Sequence, residues 1–207
     1  MAMVSTEPDR LRGGGLAPTR RVLTVGHSNH SLERFLGLLA AHGVEVLVDV
    51  RSSPYSRFAP QFNREALKAA LRAASVGYGF LGDELGGRPQ DGDFYDDEGH
   101  VLYGRVARSM LFVGGIERLE RGLGGHRVAI MCSEEDPTHC HRRLLVARVL
   151  VDRGVEVLHV RGDGRLQREA ELEAVAQGDL FDGFEEKAWR STRSVSRRRA
   201  PISSSAS

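Results

Sequence analysis

A chain of 207 residues, 41% hydrophobic and 28% charged, suits one compact domain that can bury a core without staples. A formal net charge of +1 gives no global attraction to nucleic acid or membrane, and two cysteines are too few for a disulfide framework. No apolar run approaches the roughly 18 residues that a membrane span needs, so no membrane partner is expected, and a cytoplasmic location with reduced thiols is.

Residues 1–20 contain no apolar signal core and read as a flexible leader. Val22 to Val25 predicts a first strand, which runs into Gly26-His27-Ser28-Asn29-His30. Ser31 can cap the helix marked by Leu32, Phe35, Leu36 and Leu39, and Gly43 stops it. Val46 to Val50 predicts a second strand, apolar enough to be covered on both faces, and it opens into Arg51-Ser52-Ser53-Pro54-Tyr55. Asn63 is a good N-cap for a helix with an Ala66, Leu67, Ala70, Leu71 stripe, and Gly77 to Leu81 predicts a weak third strand.

Residues 82–100 carry no periodic pattern, and glycine, proline and acidic residues dominate them. A loop of this length inside a domain reads as a lid or binding loop. Helical spacing returns through Val106, Met110, Val113 and Leu119. Val128 to Met131 then predicts a strand, followed by Cys132-Ser133-Glu134-Glu135-Asp136-Pro137-Thr138-His139-Cys140-His141-Arg142-Arg143 and a helix burying Leu144, Leu145, Ala147 and Val151. Val155 to Val160 predicts the last strand, and Glu169 to Ala176 a short helix. The alternation predicts an α/β, three-layer fold: a mostly parallel sheet with crossover helices on both faces. The domain spans residues 21–190, and residues 191–207, rich in serine and arginine, predict a disordered basic tail.

Three predicted strands end in polar residues, and in an open α/β sheet ligands bind beyond the carboxyl ends of the strands. The expectation is one shared rim. Catalytic candidates there are Glu134, His27, Asp49 and Cys132. Either His27 or His30 could serve as acid or base, or simply be a hydrogen-bonded structural histidine. Asp49 could accept a bond from a histidine or from Arg51, in a structural or a catalytic pair. The planar fork of Arg51 suits an anionic oxygen. Asn29, Tyr55, His141 and Arg142 join Arg51 as substrate-binding candidates.

Three readings of Cys132 stand side by side: a nucleophile, a small buried thiol, or a metal or redox group. Glu134, Glu135 and Asp136 would oppose its thiolate, and Thr138 occupies the position where a phosphatase loop needs arginine. Glu134 is therefore the preferred acid–base residue. Cys132, His139, Cys140 and His141 are zinc-binding residue types, but neighbours on a helix point apart, so no metal and no cofactor are expected. Arg142 and Arg143 read as a solvent-facing pair or as partners of an anion.

Thr24-Val25-Gly26-His27-Ser28-Asn29, Val48-Asp49-Val50-Arg51 with Pro54, Leu85-Gly86-Gly87, and Cys132 to Arg142 together resemble the proteins grouped as domain-of-unknown-function family 488. The similarity spans about Val22 to Val160. Ser133-Glu134 after the first cysteine and Cys140-His141-Arg142 at the end match the family pattern. The resemblance implies a soluble bacterial or archaeal α/β domain and supplies no substrate.

The leading expectation is an enzyme acting on a small polar, anionic or nucleotide-like ligand, with hydrolysis or glycosyl-bond cleavage as the reaction class. Arg51 would hold the ligand, Glu134 would move a proton, and His27 or Tyr55 would orient. Two alternatives stand beside it: a nucleic-acid-associated module using the basic tail, Arg142, Arg143, Tyr55 and Phe58, and a thiol redox protein, against which the absence of a CxxC pair counts.

Overall fold

Every residue of β1 (Arg21–Gly26) after the first is buried, because helices cover both sides of it. The computed structural model describes residues 20–172 and 189–193. Its sheet has six strands in the order β3-β2-β4-β1-β5-β6, the others being β2 (Val46–Asp49), β3 (Gly77–Phe80), β4 (Val128–Cys132), β5 (Glu156–Val160) and β6 (Leu166–Arg168). The first five strands run parallel and β6 is antiparallel to β5. The architecture is the three-layer α/β sheet that the strand–helix alternation predicts. The antiparallel β6 was not predicted: Leu166-Gln167-Arg168 has no apolar run to announce it, and its pairing comes from the turn after β5.

Side chains alternate across the pleat, so the sheet has two cores. Leu23, Val25, Leu47, Ala129 and Met131 face α1 (Leu32–Ala41) and α2 (Arg64–Ala73), meeting Phe35, Leu38, Leu39, Leu67 and Leu71. Val22, Val48, Val128, Ile130 and Val157 face the other way, towards Phe112, Ile116 and Leu119 and towards Leu145, Val146, Ala147 and Leu150. Each fully buried side chain of this size is worth about 1.5–3 kcal/mol. Ser31 caps α1 by accepting from Arg34 N. Asn63 precedes α2, but its side chain accepts from Ser56 N instead, tying down the preceding loop.

The long loop is partly structured. It holds α3 (Gly82–Leu85), a 3₁₀ turn at Gly92–Phe94 and a bridge between Tyr95 and Val101. The helical stretch after it is two helices, α4 (Tyr103–Arg108) and α5 (Met110–Leu123), because Ser109 is extended and accepts from Phe112 N as a new N-cap. That break resets the helical phase. Met110, expected inside, is 87% exposed, and Phe112, Gly115, Ile116 and Leu119 are buried. Gly115 lets α3 approach: a Cβ there would lie 2.6 Å from that of Glu84.

A phase shift also follows β4. Arg142–Ala147 is a π-helical segment that passes into α6 (Arg148–Asp152). The widened turn moves burial from the expected Val151 to Val146 and Leu150. Of the predicted helix at Glu169 to Ala176, Glu169 to Leu172 are helical, and the remainder lies outside the described residues. So do residues 1–19 of the leader and residues 194–207 of the tail. Ser191, at the tail's expected start, is buried, exchanging bonds with Val101 through N–H to O (2.9 Å) and Val101 N–H to Oγ (2.9 Å).

Candidate active site

The chain leaves β1 through α1 on one face and leaves β4 through the π segment on the other. The carboxyl ends of β1 and β4 are thus the point where the connections reverse direction, the position where such sheets bind ligands. Gly26 pairs with Cys132 at that edge, and the ladder continues past it: His27 N–H donates to Cys132 O (3.0 Å) and Ser28 N–H to Ser133 O (2.8 Å). A Cβ on Gly26 would lie 1.8 Å from Glu134 O, so only glycine admits this approach. β2 lies on the other side of β4, and Val50 N–H donates to Met131 O (3.1 Å). The three strand ends therefore share one rim.

On that rim, Cys132 lies beside His141. Its Sγ is 3.5 Å from His141 Nδ1, while His141 Nε2 is 3.0 Å from the carbonyl oxygen of Val50. A carbonyl only accepts, so Nε2 carries the proton, and in the neutral ring Nδ1 is the acceptor facing the thiol. Cys140 completes the cluster: its Sγ, that of Cys132 and a ring nitrogen of His141 lie within 4.8 Å of one another. Both thiols are free and buried, Cys132 being 7% exposed.

The two thiols are polarised in opposite directions. A hydrogen bond from Cys140 pulls the Cys132 pKa below its usual value, and Arg142 and the Ser133 and Glu134 N–H groups help, against the opposing effect of burial. Cys140, donating to Cys132 and deeply buried, is held well above the usual thiol range. Cys132 is the more acidic of the two sulfurs.

The acidic neighbours do not crowd the thiol as expected. Glu135 turns outward to Arg161, with both carboxylate oxygens at 3.0 Å, and also accepts from Gly162 N (2.8 Å). Asp136 accepts from Thr138 N (2.9 Å). The side chain of Glu134 is 44% exposed and faces Arg193 at 3.8 Å.

Arg142 is fully buried, contrary to a solvent-facing pair. Its Nε donates to Thr24 Oγ1 (3.2 Å), and its terminal nitrogens donate to the carbonyl oxygens of Glu134 and Glu135. It pins the loop after Cys132. Arg143 is also largely enclosed and donates to Glu169 Oε1 (2.6 Å).

Asp49, Arg51 and His27 form a second buried group. Arg51 donates from Nε and NH2 to the two Asp49 oxygens (2.9 and 2.7 Å), and from NH2 to Phe62 O (2.8 Å). Its NH1 meets His27 Nε2 at 3.2 Å. His27 Nδ1 donates to Ser28 O (2.8 Å), and its ring stacks on Phe62 with centroids 4.4 Å apart. Burial, aided by Arg51, lowers the His27 pKa to about 4. The Tyr78 hydroxyl also donates to Asp49 (3.0 Å), and its own pKa is pushed upward by burial and by that carboxylate. This group braces the β2 end, and its arginine fork is committed within the protein. Asn29 and Tyr55 are exposed nearby loop residues, Tyr55 at 58%.

Sequence reasoning did not single out Cys140 as a site residue or foresee that Cys140 and His141 converge on Cys132. Neighbours on a regular helix diverge, but these two occupy the turn into the helix, where Cys140 N–H donates to Pro137 O (3.0 Å). The sequence reading also passed over Thr24, His159 and Glu169, which join Arg142 and Arg143 in a buried polar chain. The available signal was His159 within an apolar strand, since a polar ring buried on both faces needs partners.

The fold and rim thus define a three-layer α/β protein with a Cys–His pair at the end of its central strand. The chain belongs to the family described as domain of unknown function DUF488, whose model matches residues 31–153. That match holds Arg51, Cys132, Cys140, His141 and Arg142 and begins after the Gly26 to Asn29 motif. No curated protein and no solved structure matches the chain. Among the described residues, no helix is long and apolar enough to cross a membrane.

Proposed function

We propose that this protein is an enzyme acting on a small polar substrate through the Cys132 sulfur, with His141 as its proton acceptor. The observation carrying the proposal is the anchoring of His141: with Nε2–H given to Val50 O, Nδ1 is left to take the thiol proton 3.5 Å away. Sulfur attacks an electrophilic carbon, forming an S–C bond as the bond from that carbon to the leaving oxygen or nitrogen breaks. The imidazolium returns its proton to the leaving group, and water releases the acyl or glycosyl product. Hydrolysis remains the reaction class, with the proton transfer assigned to His141 in place of Glu134, whose carboxylate lies half in solvent. Small size follows from access, since Cys132 is 7% exposed and the Gly87 backbone lies against the His141 ring.

The nucleic-acid reading loses two of its contacts, because Arg142 and Arg143 are enclosed. The redox reading keeps its two adjacent sulfurs, but they come from a strand end and a helix start with no CxxC turn.

Alkylation of the reduced full chain by iodoacetamide, followed by peptide mass spectrometry, tests the proposal without a known substrate. Cys132 should take the first equivalent, Cys140 should be spared, and His141→Ala should slow the reaction about tenfold or more. Prior labelling of Cys140, a rate indifferent to His141→Ala, or thiols silent until the chain unfolds would each overturn it.

A further inference from the structure

We infer that Cys132, Cys140 and His141 form a three-donor Zn²⁺ site whose fourth coordination position is open. The inference uses the donor atoms of the thiol reading without depending on it, because a coordinated Cys132 and a free one are alternative states of the same sulfur.

Three observations carry it. The first is the clustering of donors. One atom from each of the three residues lies within 4.8 Å of the other two, although the first residue ends a strand and the others sit beyond a seven-residue connection. Tetrahedral zinc, with Zn–S near 2.3 Å and Zn–N near 2.0–2.1 Å, sets an S-to-N edge of about 3.6 Å. The Cys132 Sγ to His141 Nδ1 distance is 3.5 Å. An ion can therefore replace the hydrogen bond on this edge without parting Cys132 from His141, and the two edges to Cys140 Sγ lie within 4.8 Å.

The second observation is the support of the histidine. A zinc-binding imidazole ordinarily gives its other N–H to a carbonyl or carboxylate, which fixes its tautomer and aim. His141 gives Nε2–H to Val50 O and turns Nδ1 to the sulfur. The Gly87 backbone closes on the same ring, where a Cβ would lie 2.6–2.8 Å from its atoms.

The third is the donor chemistry. Two thiolates and an imidazole are soft-to-borderline ligands, suited to zinc over magnesium or calcium. Two thiolates also cancel the charge of the ion, which suits a buried place. Their protons leave to solvent on binding, so affinity rises with pH. Arg142 holds the carbonyl oxygens of Glu134 and Glu135, fixing the loop that follows the first ligand. Among the described residues no fourth His, Cys, Asp or Glu joins the cluster. Three protein ligands and one open position are the pattern of zinc sites that take water or substrate.

The full chain, reduced and stripped with chelator, is titrated with Co²⁺ and then with Zn²⁺. One Co²⁺ per chain should bind, with thiolate charge-transfer absorption in the near ultraviolet and tetrahedral ligand-field bands in the visible, and Zn²⁺ should displace it. Cys132→Ser, Cys140→Ser and His141→Ala should each weaken binding beyond the roughly 10–100-fold that loss of an outer-shell partner costs. His139→Gln and Glu134→Gln should leave it unchanged. Circular dichroism of the metal-free variants verifies that they fold, and a variant that does not is replaced by Cys140→Ala or His141→Gln. Absence of the cobalt spectrum, or a spectrum that survives loss of Cys140 or His141 in a folded variant, overturns the inference. Iodoacetamide separates it from the thiol reading. Bound Zn²⁺ should protect Cys132 from alkylation and chelator should restore it. Fast alkylation without metal binding leaves the nucleophile alone, and metal binding with a slow metal-free thiol leaves the zinc site alone.

Discussion

Thr24 and His159 face each other across β1 and β5, hydroxyl to ring nitrogen at 2.8 Å, with neither exposed to solvent. The chain of bonds continues from His159 Nε2 to Glu169 Oε2 (2.6 Å) and from Arg143 to Glu169 Oε1 (2.6 Å). Nε2 is the donor to a carboxylate, so Nδ1 accepts from the threonine. Burial lowers the His159 pKa although Glu169 opposes it, in keeping with a neutral ring. Removing Glu169 would leave an enclosed cation and a buried ring unmatched. Glu169→Ala should cost about 3 kcal/mol, read as a fall in the urea midpoint at constant slope; a midpoint within error of the parent chain would show the network to be dispensable.

Arg51 offers a similar test at the other side of the rim. Its fork reaches both oxygens of Asp49 and the Phe62 carbonyl at once. Lysine keeps the charge and loses the fork. Arg51→Lys should therefore lose about 2–3 kcal/mol of stability, and thermal unfolding measures it. Full stability in the lysine variant would mean that charge alone suffices.

His27 predicts a pH dependence of stability. Its folded pKa is lowered from 6.5 to about 4, so the native ring stays neutral while the unfolded ring protonates. This contribution is complete above pH 6.5 and is lost as pH falls towards 4, amounting to roughly 3 kcal/mol across the window. His159, also lowered, adds in the same direction. Urea midpoints between pH 7 and pH 5 should fall more steeply for the parent chain than for His27→Gln. Equal slopes would remove His27 as a cause.

Two glycines separate stability from chemistry. At Gly26 an added Cβ meets backbone, 1.8 Å from Glu134 O, and at Gly87 it meets the His141 ring. Gly26→Ala should destabilise by about 3 kcal/mol or more, since overpacking against main chain has no side-chain escape. Gly87→Ala should displace the imidazole and slow Cys132 alkylation at a smaller cost in stability. Unchanged labelling of a folded Gly87→Ala chain would show that the ring position does not govern the thiol.

The Ser191 contacts with Val101 predict where the carboxyl end can be cut. A chain ending at Arg190 loses both of them, and one ending at Arg193 keeps them. The shorter chain should be less stable by about 1–2 kcal/mol, and matching denaturation curves would contradict this.

The strands were legible because Val22 to Val25, Val46 to Val50, Val128 to Met131 and Val155 to Val160 are apolar runs that only a doubly covered sheet accommodates. The shared rim followed from their parallel order. Helix phase was less legible. Ser109 and the π segment each shift the pattern by a residue or two, and periodicity read from either side misassigns Met110 and Val151. The site was half legible. Residue types named Cys132, His141 and Arg142. Which of them meets the thiol, and which holds the loop, depends on a turn geometry that spacing along the chain does not encode.

The order of strands in the sheet differs from their order in the chain, and this has a consequence during synthesis. β1 has β4 and β5 as its neighbours, and β4 stands between β1 and β2. A nascent chain that has emerged only as far as α5 holds β1, β2 and β3, yet β1 has no partner to pair with. β1 is joined to β2 only when β4 enters between strands that left the ribosome long before it, a non-local step that slows folding. Because β4 ends in Cys132, the thiol reaches the rim in the event that joins β1 to β2, before β5 and β6 add on the far side of β1. Chains made only as far as α5 therefore lack the Cys132, Cys140 and His141 cluster altogether.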